Sequence, residues 1–143
     1  MLGVGRGCGP IPLASNLFME KQMKRDMNLV REILVWAENQ EHGSMNKNPE
    51  IPEYTEEEIA YHIYLMNKAG LVKAVETTSF GDKSPNAILL EVTWDGHEFL
   101  NAAKDDTIWE KAKTTLFKTS TSLTFDLLLE WLKAEGRQKL GLP

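Results

Sequence analysis

The sequence predicts a mostly helical α+β domain of the winged-helix type, with a two-stranded wing and a C-terminal helical extension. Two apolar runs, "LVKAVETT" and "AILLEVTW", have strand character and are separated by the turn-rich stretch "SFGDKSPN". Amphipathic segments with helix-capping residues lie on both sides of this pair. The predicted order is therefore helix, short strand, helix, hairpin, and then two or three helices.

Composition is that of an ordered protein with a hydrophobic core. The chain has 143 residues, of which 42% are hydrophobic and 26% charged. No apolar run is long enough for a membrane span, and the single cysteine, Cys8, cannot form an internal disulfide. We therefore expect a cytoplasmic protein. The net charge of −5 argues against a strongly electrostatic nucleic-acid binder but leaves room for a local basic patch.

The first 22 residues differ from the rest of the chain. They contain four glycines and two prolines and show neither helical nor strand periodicity. We expect residues 1–22 to be a flexible leader, either disordered or a non-native extension, with Met23 as a candidate natural start. Residues 23–143 then form a single winged-helix-like domain with C-terminal helices.

The first helix is predicted to begin at Asp26, whose carboxylate can cap it, and to carry apolar residues at helical spacing from Met27 to Ala37. It should end in "NQEHGSMNKNPEIPEY", where glycine and prolines prevent a long regular element. "EIPEY" is a candidate edge strand, because proline is tolerated there. The residues after Gly43 show no pattern for the first helix of a helix-turn-helix.

The second helix has signals at both ends. Thr55 and Glu58 have the spacing of a capping box, and glutamates at 56–58 suit the positive end of the helix dipole. Gly70 is expected to end the helix in the left-handed conformation. The buried stripe predicted between them consists of Ile59, Ile63 and Met66.

The elements that follow are predicted from alternation and from further caps. In the second strand, alternate residues place Ile88, Leu90 and Val92 on one face. Thr93 is the predicted cap of the next helix, and Thr107 with Glu110 forms a second predicted capping box. The last helix should begin near Thr124 and present a broad apolar face.

Two segments resemble winged-helix regulators. "IAYHIYLMNKAGLV" resembles the recognition-helix-to-strand segment of the ArsR and PadR families, with Ile59, His62, Ile63 and Met66 at the family's positions before Ala-Gly-Leu-Val. "VTWDGHEFLNAA" resembles the start of the helix that follows the wing in the same superfamily, with Thr93 as its cap. This resemblance covers about half of the chain and implies a fold rather than a target.

A broader resemblance covers residues 23–142. "MKRDMNLVREIL", "YTEEEIAYHIYLMNKAGLV", "TWDGHEFLNAAKDDTIWEKAK" and the tail "SLTFDLLLEWLKAEGRQKLGL" are similar, in this order, to the bacterial and prophage family of domain of unknown function 2513. The resemblance implies a bacterial cytoplasmic setting, often of phage origin. It implies no catalytic residues.

The expected function is that of a small DNA-binding transcriptional regulator. In a helix-turn-helix the outward side chains of the second helix contact base edges and phosphates. If Ile59, Ile63 and Met66 face the core, the outward stripe contains Tyr61, Tyr64 and Lys68, while Lys73 and the wing residue Lys83 are candidates for backbone contacts. Double-stranded DNA is therefore one expected partner.

The alternative is a winged-helix module that binds a host or phage protein and no DNA. Tyr61 and Tyr64 form a partly apolar outer face, and tyrosine is enriched at protein interfaces. The last helix either covers the chain's own core or forms a homodimer through Leu128, Trp131 and Leu132.

Enzymatic activity is not expected, and neither is a cofactor or metal. His42, His62 and His97 are the three histidines, and none has a metal-ligand spacing with cysteine or another histidine. His62 is expected to cap or pack at the helix surface. The sequence contains no nucleophile elbow and no Cys/His pairing typical of a catalytic nucleophile.

Overall fold

The first helix, α1, comprises Met27–Glu38 in the computed structural model, which describes residues 23–118 and 122–143. The Asp26 carboxylate accepts hydrogen bonds from the amides of Asn28 and Leu29, as its predicted capping role requires. The inner face of α1 is fully buried and includes Leu29, Ile33 and Leu34. The predicted leader, 1–22, lies outside the described residues.

Residues 39–55 connect α1 to the second helix without forming a helix or a strand, and the predicted edge strand at 50–54 is wrong. That segment turns instead, with Glu53 at φ 76°. Residues that precede this segment lie along the free edge of the strand Ala87–Val92 instead. The Met45 amide donates to the Leu90 carbonyl at 2.7 Å. The Asn48 side chain donates to the Ala87 carbonyl at 2.8 Å and accepts from the Leu89 amide at 2.9 Å.

The second helix, α2, comprises Glu56–Ala69 and matches its prediction closely. Both hydrogen bonds of the Thr55–Glu58 capping box are present, and Gly70 adopts the left-handed conformation, with φ 84°. Ile59, Ile63 and Met66 are buried in the core. This stripe fixes which side of α2 faces outward.

An antiparallel hairpin follows, with β1 at Val72–Glu76 and β2 at Ala87–Val92. The register shifts between Lys73 and Ala74, so β2 has one additional residue there, as in a β-bulge. The predicted face of Ile88, Leu90 and Val92 is corrected: these side chains are half-buried, and the fully buried ones are Ala87 and Leu89. Asn67 accepts a hydrogen bond from the Ala74 amide through its side chain, at the outer edge of β1.

The third helix, α3 (Trp94–Ala103), begins where the hairpin returns to α2. Thr93 accepts from the Gly96 amide, as its predicted capping role requires, and its hydroxyl donates to the Gly70 carbonyl at 2.6 Å. The Thr93 amide donates to the Leu71 carbonyl. These bonds hold the start of α3 tightly against the turn at the end of α2.

The fourth helix, α4 (Asp106–Ala112), continues into a π-helical turn at Lys113–Phe117. The predicted capping box of Thr107 and Glu110 is wrong, because Asp105 is the N-cap and accepts from the Ile108 amide at 3.0 Å. Asp105 also accepts from the Lys139 ammonium group at the end of the last helix. The additional cation favours the aspartate over the threonine as the cap.

Asp105 should make the fold sensitive to acid. The hydrogen bond from Lys139, followed by that from the Ile108 amide, lowers the pKa of Asp105 below its ordinary value of 3.8. Since the folded state has the lower pKa, the stabilisation is present above pH 3.8 and is lost as the pH falls through the folded value. We expect Asp105→Asn to lower the thermal midpoint at neutral pH, and the difference from wild type to vanish in strong acid. A pH-independent difference would contradict this account, and Asp95→Asn, at an exposed first-turn aspartate of α3, is the control.

The last helix, α5 (Phe125–Lys139), begins at Thr124, as predicted, with the threonine hydroxyl accepting from the Leu127 amide. Leu128 and Leu132 are completely buried within the chain, and Trp131 is half-buried. Leu128 and Leu132 therefore pack within the chain's own core. A homodimer contact through α5, at Leu128, Trp131 and Leu132, stays a prediction.

Arg31 joins α1 to the junction between α3 and α4, although it is a charged residue in a core position. Its Nε donates to the Ala103 carbonyl at 2.7 Å, and its Nη2 donates to the Lys104 carbonyl at 2.9 Å and to the Asp106 carboxylate at 2.7 Å. The guanidinium carbon lies 5.4 Å from the centroid of the Trp109 ring. One side chain thus satisfies the carbonyls at the end of α3 and holds the start of α4.

The predicted fold class is confirmed: the chain is mostly helical α+β, with five α-helices among the described residues and one antiparallel hairpin between helices. The core lies between α1, α2, the hairpin and α3, and α5 closes it on the side of α3 and α4. Within the described ranges, no helix has the length and apolar character needed to cross a membrane. A cytoplasmic location stays a prediction.

Candidate functional site

The outward face of α2 brings together three of the predicted contact residues. Tyr61 and Tyr64 are half-buried and their rings are stacked, with centroids 6.3 Å apart and an interplanar angle of 17°. The Lys68 ammonium lies 5.3 Å from the centroid of the Tyr64 ring. We call this surface, composed of Tyr61, Tyr64 and Lys68, the tyrosine face.

The charge of Lys68 is partly compensated by the hairpin. Its ammonium lies 3.5 Å from the Glu76 carboxylate at the end of β1, and both side chains are about half exposed. Lys73 and Lys83 are exposed, on β1 and in the loop between the strands. Glu76 lies between Lys73 and Lys83 along the hairpin and pairs with Lys68, so an acidic residue accompanies all three lysines.

The glutamates at the start of α2 have different environments. Glu58 completes the capping box. Glu57 accepts a hydrogen bond from the Ser84 hydroxyl at 2.8 Å, which links α2 to the loop of the hairpin. Glu56 is exposed. At least one carboxylate is therefore directed toward the wing, where a winged helix would meet a phosphate backbone.

A groove of about 750 Å³ lies between the first turn of α2, the hairpin loop and residues 48–50. Its charged lining residues are four carboxylates and one amine: Glu50, Glu56, Glu57, Asp82 and Lys83. We call it the wing groove. It was not predicted from the sequence, because its walls come from three segments that are separate along the chain.

His62 is buried, at 2% exposure, and the prediction of a surface position is wrong. Its Nε2 accepts a hydrogen bond from the Asp26 amide at 2.8 Å. Its Nδ1 lies 2.9 Å from the Glu58 carbonyl. Because an amide can only donate, these contacts assign the proton of a neutral ring to Nδ1. His62 therefore joins α2 to the start of α1.

A chain of hydrogen bonds continues from Asp26 into the core. The Tyr54 hydroxyl donates to the Asp26 carboxylate at 3.1 Å. Asn28 donates to the Tyr54 oxygen at 3.3 Å and accepts from the Trp109 indole at 2.9 Å. Burial raises the pKa of the Tyr54 hydroxyl above its ordinary value. Tyr54, Asp26 and Asn28 therefore have a structural role, because their polar groups bond to one another and to the Trp109 indole.

Within residues 23–118 and 122–143, no group of three or more histidine, cysteine, aspartate or glutamate side chains is arranged to hold a metal ion. That the protein is no enzyme and uses no cofactor stays a prediction.

Comparison with known proteins identifies the family. The model of the family described as "Hypothetical protein (DUF2513)" matches residues 24–122, which include α1 to α4 and the hairpin. The chain belongs to the DUF2513 family. A relative from Haemophilus influenzae, described as an uncharacterized protein, is 36% identical over 107 residues, or 74% of this chain and 89% of the relative. No solved structure matches the chain.

The family match locates the candidate site within the shared region. The tyrosine face and the wing groove both lie inside residues 24–122. The predicted resemblance extended to residue 142, whereas the matched region ends before α5. The DUF2513 assignment therefore covers the helices and hairpin that form the candidate surface but not the C-terminal helix.

Proposed function

We propose that this DUF2513 protein is a protein-binding module that contacts its partner through the tyrosine face of α2 and the adjacent hairpin. The observation that carries the proposal is the ion pair between Lys68 and Glu76, which partly compensates the single cation of the tyrosine face. Stacked tyrosines that are half exposed offer a large and rigid contact area of the kind found at the centre of protein interfaces.

The charge balance around α2 supports a protein partner over duplex DNA. The exposed amines are Lys68, Lys73 and Lys83, while the same helix and hairpin carry five exposed carboxylates, on Glu56, Glu57, Glu76, Asp82 and Glu91. Proteins that bind duplex DNA commonly make roughly 6–10 phosphate contacts through basic side chains. The net charge of the whole chain, −5, further disfavours binding to the negatively charged phosphates of DNA.

The second candidate is a DNA-binding transcriptional regulator of phage origin. The order of α2 and the hairpin favours it, because a helix followed by a wing is the arrangement that winged-helix proteins place in DNA grooves. Tyr61, Lys73 and Lys83 would then supply base and phosphate contacts.

A pair of charge-introducing variants tests the proposed function. Affinity-tagged protein would be used to isolate its partner from bacterial lysate, followed by measurement of the partner's affinity for each variant. We expect Tyr64→Glu to weaken binding at least tenfold, on the order of a hot-spot loss, and Tyr64→Phe to preserve it. Leu127→Glu, which also introduces a glutamate at a half-exposed apolar position but on α5, should leave binding unchanged. Equal affinity for wild type and Tyr64→Glu would refute the proposal.

A gel-shift experiment decides between the two candidates. With random duplex fragments at low salt and micromolar protein, the proposed function predicts no complex. A salt-sensitive complex that is lost when Lys73 and Lys83 are both replaced by alanine would establish DNA binding instead.

A further inference from the structure

The wing groove is lined by both apolar and acidic residues. Pro49, Ile59, Ala60 and Ala87 line it as buried side chains, and Ile88 lines it as a half-buried one. Three of its carboxylates lie on different segments, with Glu50 in the connection before α2, Glu57 on α2 and Asp82 in the hairpin loop. Apolar and anionic groups are thus within reach of one extended ligand.

The internal hydrogen bonds of the groove do not neutralise it. Asp82 accepts from the Ser79 amide at 2.6 Å and from the Asn86 side-chain amide at 3.0 Å, and Glu57 accepts from the Ser84 hydroxyl. All three donors are uncharged, so no cation is among these hydrogen-bond partners of the two side chains. Lys83 is the single amine among the lining residues, against four carboxylates.

We propose that the wing groove binds an extended protein segment in which lysine or arginine side chains flank an apolar residue. The apolar residue would lie against Ala60 and Ile88, and the cations would meet the carboxylates of Glu50, Glu56 and Glu57. Charge complementarity across an interface of this kind selects basic partners and disfavours acidic ones. Nucleic acid is excluded from the groove by the same charges, because phosphates would face carboxylates.

The inference rests on the proposed function, because it names the chemistry of the partner that the module binds. The tyrosine face and the groove are adjacent on α2: Glu57 lies one helical turn before Tyr61. A partner segment lying in the groove would therefore continue toward the tyrosine face.

Binding of a model peptide to the full chain tests the inference. The probe is a short fluorescent peptide in which arginine and leucine alternate, and the control peptide has glutamate in place of arginine. By fluorescence anisotropy at low salt we expect wild type to bind the arginine peptide and not the glutamate peptide. Glu57→Lys should weaken binding about tenfold or more, and Lys83→Glu should strengthen it, because the two changes alter the groove charge in opposite directions.

Glu98→Lys is the matched control, since Glu98 is an exposed glutamate on α3 and does not line the groove. It makes the same change in net charge as Glu57→Lys and should leave peptide affinity nearly unchanged. The inference is overturned if wild type does not bind the arginine peptide, or if Glu98→Lys weakens binding as much as Glu57→Lys. An increase in affinity for Lys83→Glu is the opposite of what loss of the folded groove would cause.

The two proposals fail in different ways. If Tyr64→Glu prevents capture of the partner while wild type ignores the arginine peptide, the groove inference is wrong and the proposed function stands. If Glu57→Lys prevents peptide binding while Tyr64→Glu leaves partner capture intact, the groove is the binding site and the tyrosine face is not.

Discussion

Gly96→Ala is expected to destabilise the protein by about 3 kcal/mol, at the upper end of the range for overpacking. A Cβ atom at this position would overlap the Leu71 carbonyl oxygen and lie 2.7 Å from Cγ1 of Val92. The carbonyl cannot retreat easily, because it accepts the Thr93 amide that fixes the start of α3. Chemical denaturation of the variant, monitored by circular dichroism, measures the change in unfolding free energy.

Gly136→Ala is the matched control for this prediction. Gly136 lies in α5, and no atom outside its own helix would come within 4 Å of an added Cβ. Because alanine has the higher helix propensity, the same substitution should stabilise the protein by up to about 1 kcal/mol. If both substitutions changed the unfolding free energy in the same direction and by similar amounts, Gly96 would not lie in close contact with Leu71.

Arg31→Ala is expected to lower the unfolding free energy by about 3 kcal/mol, since it removes a buried charge with three hydrogen bonds. The buried Ala103 carbonyl would lose its partner, and the start of α4 would lose its link to α1. For a domain of this size the thermal midpoint should fall by about 10 °C. Scanning calorimetry measures both quantities.

Two further variants serve as comparisons for Arg31→Ala. Arg31→Lys keeps the cation but not the planar fork that reaches both carbonyls and Asp106, so we expect an intermediate loss. Arg137→Ala removes an exposed arginine near the end of α5 and should change stability by less than about 0.5 kcal/mol. An Arg31→Ala variant as stable as Arg137→Ala would mean that the hydrogen bonds of Arg31 contribute no net stability.

The helix starts could be predicted from the sequence because their physics is local. Asp26, Thr55, Thr93 and Thr124 all accept amide hydrogen bonds from residues two or three positions later, and Gly70 adopts the expected left-handed conformation. The exception illustrates the limit. Local spacing predicted Thr107 as the cap, whereas Asp105 takes this role and also contacts Lys139, which is distant in sequence.

Features that depend on tertiary contacts could not be predicted. Arg31 is a polar position in an amphipathic helix, and nothing near it in sequence indicates the carbonyls of Ala103 and Lys104 that it binds. The ring of His62 can be buried because the Asp26 amide, at the N-cap of α1, donates a hydrogen bond to it. In β2 the alternation predicted Ile88, Leu90 and Val92 on the core face, whereas Ala87 and Leu89 are the buried residues. How the hairpin packs against the helices, and its register shift, cannot be read from local alternation.

In the candidate site, too, some features could be predicted from the sequence and others could not. The tyrosine face could be predicted, since the buried stripe of α2 determines which residues point outward. The compensation of Lys68 by Glu76 and the convergence of Glu50, Glu57 and Asp82 on one groove could not, because each depends on how the hairpin folds back against α2. These unpredicted contacts are the ones that favour a protein partner.

Asparagine side chains occupy both long edges of the hairpin, and this limits how another chain can approach it. Asn48 binds the Ala87 carbonyl and the Leu89 amide on the free edge of β2, and Asn67 binds the Ala74 amide on the free edge of β1. The main-chain groups that a foreign strand would need at these positions are already paired. Sheet extension by strand addition, whether in partner recognition or in self-association toward fibrils, is therefore blocked there, and side chains must supply the recognition.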